Sequence, residues 1–205
     1  MSALRALIAS LLILGAGVAA LALATGGFRA FTTETARRLD VRAHPRTVPD
    51  VPLETANGRH VRFDSLRGRW LLVDFVYTSC FTYCPVQGRD FARLQDRLAG
   101  PIDRGRALLL SISFDPARDG PARLAEYQQH AGDRGAGWIA ARPTDAGGLA
   151  ALVRTFGVTA IPDGQGGFVH NAAIAVVDPD GRLVAIMDWD DPRAAARYVE
   201  ARLGT

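Results

Sequence analysis

The 205-residue sequence contains no lysine, and all 24 of its basic residues are arginine. This absence excludes a Schiff-base lysine and the phosphate-binding lysine of Walker-type nucleotide sites. No G-x-G-x-x-G motif opens a helix after a strand, so a nucleotide-dependent enzyme is disfavoured. The net charge is only +3, and no dense basic stretch with interleaved aromatic residues indicates nucleic-acid binding.

Cysteine is scarce as well: Cys80 and Cys84, in TSCFTYCP, are the only two. A disulfide between them would close too short a loop to constrain the unfolded chain much, so a purely structural disulfide is disfavoured. The pair lies where an apolar strand is expected to end and a helix to begin. A helix N-terminus favours the thiolate, which is both a nucleophile and a soft-metal ligand. The pair therefore indicates redox or metal chemistry.

Charged residues are absent from residues 6–28, a run long enough to cross a bilayer as a helix. A buried core helix is disfavoured, because the run is so long and lies at the terminus. The A-L-A sequence at 22–24 resembles a signal-peptidase site, so cleavage stays open. We expect a single transmembrane anchor or signal at 1–28, a linker at 29–48 and a soluble domain at 49–205.

The soluble domain alternates strand and helix patterns. Apolar runs at 70–77 and 107–114 predict buried strands, and apolar residues at helical spacing predict a helix over 85–98. Asn57-Gly58 predicts a type I′ β-hairpin, and Asp180-Gly181 predicts a second hairpin. Also predicted are a strand at 138–141 and helices that follow Asp119-Gly120, Asp145 and Asp191. The pattern predicts an α/β, thioredoxin-like fold with an N-terminal β-hairpin.

Three segments, RGRWLLVDFVYTSCFTYCP, SFDPARDGP and FVHNAAIAVVDPDGRL, resemble the Sco/SenC family of copper proteins. The resemblance extends from about residue 51 to the C-terminus, and the anchor and linker match the usual layout of the family. It implies a thioredoxin-like metallochaperone that helps to assemble the binuclear copper site of cytochrome c oxidase. It also implies that Cys80, Cys84 and His170 bind copper(I), copper(II) or both.

Two departures from the family pattern accompany this resemblance. Phe81 and Thr82 stand where many members have Pro and Asp, and Val169 stands where Asp often precedes the histidine. These changes leave the three ligand types in place. Thiolate and imidazole suit soft copper(I), which accepts two or three ligands, whereas structural zinc requires four. The other histidines, at positions 44, 60 and 130, lie on the linker, a hairpin and a polar helix, and are poorer candidates.

The resemblance also implies partners and a location. The expected partner is a copper-accepting subunit of cytochrome c oxidase, with other copper chaperones or thiol reductases as further candidates, and no nucleic acid. The chain is expected to be a single-pass protein of the inner (cytoplasmic) membrane, with its soluble domain in the periplasm.

Three aspartates, Asp74, Asp115 and Asp119, are further candidates for a role at the site. Asp74 lies inside an apolar strand, six positions before Cys80. If it is buried, its pKa is raised and it can assist proton transfer from the cysteines, as an aspartate does in thioredoxin; if it faces solvent or a polar partner, it has no such role. Asp115 is expected to stabilise its loop and Asp119 to cap the helix at Pro121, rather than to bind metal directly.

An enzyme is the main alternative to a copper carrier. Cys80 and Cys84 would then be the redox pair of a thiol–disulfide oxidoreductase that keeps partner cysteines reduced. A carrier needs His170, whereas a reductase needs it much less. A thiol peroxidase is disfavoured, because Val73 and Tyr77 replace the Pro and Thr that peroxiredoxins place before the reactive cysteine. A membrane-anchored binding module with an unused dithiol is disfavoured as well.

Overall fold

The computed structural model describes residues 2–80 and 84–204 and divides into two compact units, Met1–Ala43 and His44–Thr205. Residues 81–83 lie outside the described part, together with the side chains of Ser2, Cys84 and Pro85. The predictions that concern Phe81 and Thr82 therefore fall outside it.

The first unit contains helices α1 (Ser2–Ala24) and α2 (Thr33–Ala43). The segment Ala3–Ala24 of α1 is long and apolar enough to cross a membrane, a character that an N-terminal secretion signal shares. In α2, Glu34 accepts hydrogen bonds from Arg37 and Arg38 at 2.7 and 2.8 Å. The segment predicted as a linker thus includes a helix, with salt bridges at the i,i+3 and i,i+4 spacings.

The second unit is an α/β domain. Its strands are β1 (Arg46–Thr47), β2 (Pro52–Thr55), β3 (His60–Arg62), β4 (Trp70–Val76), β5 (Ala107–Ser113), β6 (Trp138–Pro143), β7 (Ala160–Pro162), β8 (Phe168–His170), β9 (Ile174–Val177) and β10 (Arg182–Met187). Its helices are a 3-10 helix (Phe63–Leu66), α3 (Cys84–Arg97), α4 (Ala99–Asp103), α5 (Pro121–Ala131), α6 (Ala146–Phe156) and α7 (Pro192–Leu203).

One mixed sheet organises this domain, in the order β1-β10-β9-β4-β5-β6-β2-β3. Strands β4, β5 and β6 run parallel, whereas β9 and β10 add an antiparallel hairpin beside β4. Strands β7 and β8 form a separate two-stranded hairpin. This is the thioredoxin-like arrangement predicted from the sequence, with the β2–β3 hairpin at one edge.

The alternation of side chains along β4 explains why this strand is apolar throughout. Leu72 packs in a core shared with α3 and α7, whereas the ring of Phe75, on the opposite face, lies 5.1 Å from that of Phe156 in α6. Because successive side chains point to opposite faces, Asp74 faces the same side as Leu72. The strand therefore places a carboxyl group under α3.

Both predicted hairpins are confirmed, but one predicted turn class and one predicted cap are wrong. A type I′ turn needs positive φ at Asn57 and at Gly58, and within the described residues of this turn only Gly58 has it, at 74°. Asp145 and Asp191 cap α6 and α7 as predicted. Asp119 does not cap α5, because Gly120 occupies that position and no side-chain cap bond forms.

Candidate metal centre

Cys80 follows the carboxyl end of β4, where the chain leaves the sheet in a turn. Its backbone N–H donates to the Tyr77 carbonyl at 3.4 Å, and its side chain is 8% exposed. Cys80 therefore lies at the end of the central strand, as the sequence predicts, and its side chain is nearly buried.

Asp119 fixes the segment that leads to Cys80. Fully buried, its carboxylate accepts hydrogen bonds from the Thr78 N–H at 3.1 Å, the Thr78 hydroxyl at 2.6 Å and the Ser113 hydroxyl at 2.6 Å. Hydrogen bonds to a buried carboxylate are among the stronger ones in proteins. Asp119, predicted as a helix cap, therefore connects the β5–α5 loop with the residues just before Cys80. It does so because the hydroxyl groups of Ser113, six residues earlier, and of Thr78, 41 residues earlier, both donate to it.

His170 ends strand β8, opposite Ala160 of β7. Its half-buried ring lies 5.2 Å from the Phe114 ring and 6.1 Å from the Tyr77 ring, measured between centroids. Burial lowers the pKa of His170, and the charge of Cys80 acts in the opposite direction. Burial therefore favours the neutral imidazole, the form that binds metals, and the imidazole lies within electrostatic reach of the Cys80 sulfur.

Cys80 and His170 line the same cavity, which has a volume of about 450 Å³. Its other walls come from Tyr77, Asp163, Phe168, Val169, Ala172 and Trp189. The Nδ1 atom of His170 is buried and has no hydrogen-bond partner among the described residues. A buried nitrogen without a hydrogen-bond partner, on a residue that lines a cavity together with a cysteine, fits a ligand that binds through nitrogen and sulfur.

Cys84 is the first residue of α3, so the predicted strand-to-helix placement of the cysteine pair is present in the backbone. Its side chain lies outside the described part, and the convergence of all three predicted ligands stays a prediction. Among the described side chains, no three His, Cys, Asp or Glu residues form a cluster that could hold a metal ion.

Asp74 is completely buried, as one of the two interpretations requires, but it also has a polar partner, so its role in proton transfer stays a prediction. Its Oδ2 atom accepts a hydrogen bond from the Gln87 side chain of α3 at 3.0 Å. Burial raises the pKa of the Asp74 carboxyl to about 7, although interactions with the Ser111 and Gln87 side chains oppose the increase. The domain thus has a carboxyl group that can hold or release a proton near neutral pH, beneath the helix that begins at Cys84.

Comparison with known proteins identifies the family. The family model described as SCO1/SenC matches residues 40–203. The chain belongs to the SCO1/SenC family. It is 30% identical over 142 residues to a candidate copper-binding protein of Stutzerimonas stutzeri, covering 67% of each chain. It is 27% identical over 134 residues to the SCO1 protein homolog of Bacillus subtilis (strain 168), covering 64% of this chain and 68% of that one.

Solved structures of SCO1/SenC proteins have the same fold. The structure of Bradyrhizobium japonicum ScoI with copper bound is 26% identical, has a TM-score of 0.65, and is matched over 76% of this chain and 98% of that chain. Apo Sco1 of Thermus thermophilus is also 26% identical, with a TM-score of 0.59 over 76% and 89% of the two chains. The comparisons therefore establish both the family and the thioredoxin-like fold.

Several residues around the cavity were not identified from the sequence. Asp163 and Trp189 line it, and the β7–β8 hairpin that holds His170 was not predicted. Two signals could have indicated the hairpin: Asp163-Gly164 is a turn sequence, and apolar residues flank it on both sides. No comparable local signal exists for Trp189, whose position depends on the loop after β10.

Proposed function

We propose that the chain is a copper-binding metallochaperone, which holds a copper ion with Cys80, Cys84 and His170. The observation that carries this proposal is the shared cavity of Cys80 and His170. In this proposal copper is the cargo, and its recipient is a copper-accepting subunit during assembly of the binuclear copper site of cytochrome c oxidase.

The relatives support both parts of this proposal. The 26% identical Bradyrhizobium ScoI was solved with copper bound. BsSco, which shares the fold at a TM-score of 0.63, is described as a member of the Sco family of cytochrome c oxidase assembly proteins. A shared site type in family members makes copper the first metal to test here.

The donor set fits a transferable copper ion. Two thiolates and a neutral imidazole are soft or borderline ligands that suit copper(I), and a fourth protein ligand, which structural zinc would need, is not part of the set. Copper(II) can add a water or a carboxylate. An incompletely enclosed ion can be passed to a partner by exchange of ligands, which favours a carrier over a storage site.

The proposed location follows from α1. We propose that residues 1–28 anchor the chain in the inner membrane, that 29–48 connect the anchor to the domain, and that residues 49–205 act in the periplasm. The length and composition of α1 support the anchor.

A second function, thiol–disulfide exchange, is favoured by Asp74. In this reaction Cys80 and Cys84 reduce a partner disulfide to two thiols and form a disulfide themselves. A buried carboxyl with a pKa of about 7, hydrogen-bonded to α3, can accept a thiol proton at neutral pH. Both functions are compatible in one protein, because copper loading itself requires the reduced dithiol.

The test separates these functions through His170. In the full chain in detergent, His170→Ala is expected to weaken copper(I) binding more than about a hundredfold, since loss of a supporting group alone costs about 10–100-fold. Competition with a copper(I) chelator measures the affinity. His60→Ala, at an exposed position, is the matched control and should leave the affinity unchanged.

A double Cys80→Ser, Cys84→Ser variant should bind no copper, against about one copper per chain in the reduced wild type. Reduction of a small disulfide reagent should survive His170→Ala and disappear in the double variant. Unchanged copper affinity in His170→Ala would exclude the histidine as a ligand and leave the dithiol function.

A further inference from the structure

Arg118 links two loops that the candidate ligands depend on. It lies in the loop between β5 and α5, where its Nε atom donates to the Asp115 carboxylate. Its Nη1 atom donates to the Gly166 carbonyl at 2.6 Å, and its guanidinium carbon lies 5.5 Å from the centre of the Phe168 ring. Gly166 and Phe168 belong to the segment of the β7–β8 hairpin that leads to His170.

We propose that Arg118 is a positioning residue, which holds the β7–β8 hairpin so that His170 faces the Cys80 side of the cavity. This inference depends on the proposed function, because it assigns Arg118 a role in copper binding through His170. Among the described side chains, Arg118 forms no hydrogen bond or ion pair with Cys80 or His170.

The hairpin depends on contacts of this kind because β7 and β8 are not strands of the main sheet. Strands β7 and β8 pair with each other through three residue pairs, and a short two-stranded hairpin is marginally stable on its own. Ile161 and Val169 are 57% and 66% exposed, so these side chains bury little apolar surface. Contacts with the domain must therefore supply most of the stability of the hairpin.

Contacts near His170 and towards the tip of the hairpin contribute to this stability. Near His170, the Tyr77 hydroxyl donates to the Phe168 carbonyl and accepts from the Phe168 N–H, both at 3.3 Å, and the Phe114 ring packs against the Phe168 ring at 5.3 Å. Towards the tip, the Arg118 hydrogen bond reaches Gly166. Arg118 combines a charged hydrogen-bond donor with a cation–π contact to the Phe168 ring, a combination suited to the guanidinium group.

The loop that carries Arg118 is anchored on the cysteine side as well. The Ser113 hydroxyl accepts from the Asp115 N–H at 3.0 Å and donates to Asp119, which in turn holds Thr78 two residues before Cys80. Asp115 fixes the guanidinium of Arg118. One loop therefore connects the segment before Cys80 with the hairpin that ends at His170.

Loss of Arg118 should lower the fraction of molecules in which His170 is in place. The apparent dissociation constant rises in inverse proportion to that fraction, so a hairpin docked for about one tenth of the time weakens copper(I) binding about tenfold. Thiol chemistry at Cys80 and Cys84 does not need the imidazole and should change less than about twofold.

The experiment compares Arg118→Ala, Arg118→Lys and Arg123→Ala in the full chain in detergent. Arg123 is the matched control, because it is exposed on α5 and its nearest carboxylate, of Glu126, lies 3.8 Å away. Arg118→Ala should weaken copper(I) binding about tenfold, Arg118→Lys less, and Arg123→Ala not at all. In the metal-free chain, amide hydrogen exchange of residues 160–170 should be faster in Arg118→Ala alone.

A double variant decides whether Arg118 acts through His170. In a His170→Ala background, Arg118→Ala should cause no further loss of copper affinity. An additional tenfold loss there, or unchanged affinity and hydrogen exchange in the single variant, would overturn the inference while leaving the copper function intact. If His170→Ala alone leaves copper binding unchanged, the proposed function fails and the inference fails with it.

Discussion

Replacing Asp74 with Asn is expected to stabilise the protein at pH 8 and to leave its stability nearly unchanged at pH 4. The side chain is completely buried, and its pKa rises from an ordinary value of 3.8 to about 7 mainly because of that burial. Asn has nearly the same shape, and its oxygen can still accept the hydrogen bond from Gln87. The substitution therefore removes the charge with little change in packing.

The sign and size of the effect follow from proton linkage. A carboxyl group with a raised pKa in the folded state binds more protons there than in the unfolded state, so the free energy of unfolding falls as the pH rises from about 4 to about 7. One pKa unit corresponds to about 1.4 kcal/mol, so an increase of about 3 units destabilises the wild type by about 4 kcal/mol above pH 7. Asp74→Asn should recover about 2–4 kcal/mol of this at pH 8.

Urea unfolding of the full chain in detergent at pH 4, 6 and 8 measures this difference. Trp70, Trp138 and Trp189 all lie within residues 44–205, so tryptophan fluorescence reports on the thioredoxin-like domain. With an m-value of about 2 kcal/mol/M, the midpoint at pH 8 should rise by about 1–2 M. Asp180→Asn, on an exposed turn, is the control. The reasoning would be refuted if the difference in stability between Asp74→Asn and the wild type were no larger at pH 8 than at pH 4.

Two further predictions concern stability. Asp119→Ala removes a buried acceptor of three hydrogen bonds and should lower the free energy of unfolding by about 3 kcal/mol or more. In the same urea titration, Asp180→Ala, at an exposed position, should change it by less than about 0.5 kcal/mol. Gly137→Ala should lower the free energy of unfolding by about 3 kcal/mol, because φ is 100° and a Cβ would lie 2.2 Å from Ile102 Cγ2. Gly135→Ala, where φ is 87° and the surrounding space is open, should lower it by only about 1 kcal/mol. Thermal unfolding measures both. Equal losses of stability in Asp119→Ala and Asp180→Ala, or in Gly137→Ala and Gly135→Ala, would contradict the contacts described for Asp119 or Gly137.

The parts of the fold that the sequence predicts well are those whose patterns have a single physical solution. The apolar run at β4 can be buried on both faces only inside a covered sheet, and it lies between β9 and β5. Asp145 and Asp191 precede helical patterns and cap them, since each side chain needs only the first turn of its own helix. Local chemistry was sufficient in these cases.

The parts that the sequence does not predict depend on residues far apart in the chain. Asp119 before Gly120-Pro121 has the local signature of a cap, yet Thr78 and Ser113 provide its partners. The environment of Asp74 was left open, although the period-two alternation from the buried Leu72 indicates the face under α3. The β7–β8 hairpin is a different case, because its strands of three residues are too short for a periodic signal, and only the Asp163-Gly164 turn sequence and its apolar flanks could have indicated it.

The two described candidate ligands are held in unequal ways, and this difference bears on how a carrier could work. Cys80 follows the central strand, and Thr78 in the segment before it donates two hydrogen bonds to the buried Asp119 carboxylate. His170 lies on a hairpin outside the main sheet, held by Tyr77, by ring contacts and by Arg118. A carrier must bind its ion firmly and also release it to a partner. Because local opening is easiest where few contacts hold a segment, the histidine side is where an incoming ligand can replace a protein ligand at the lowest cost in free energy.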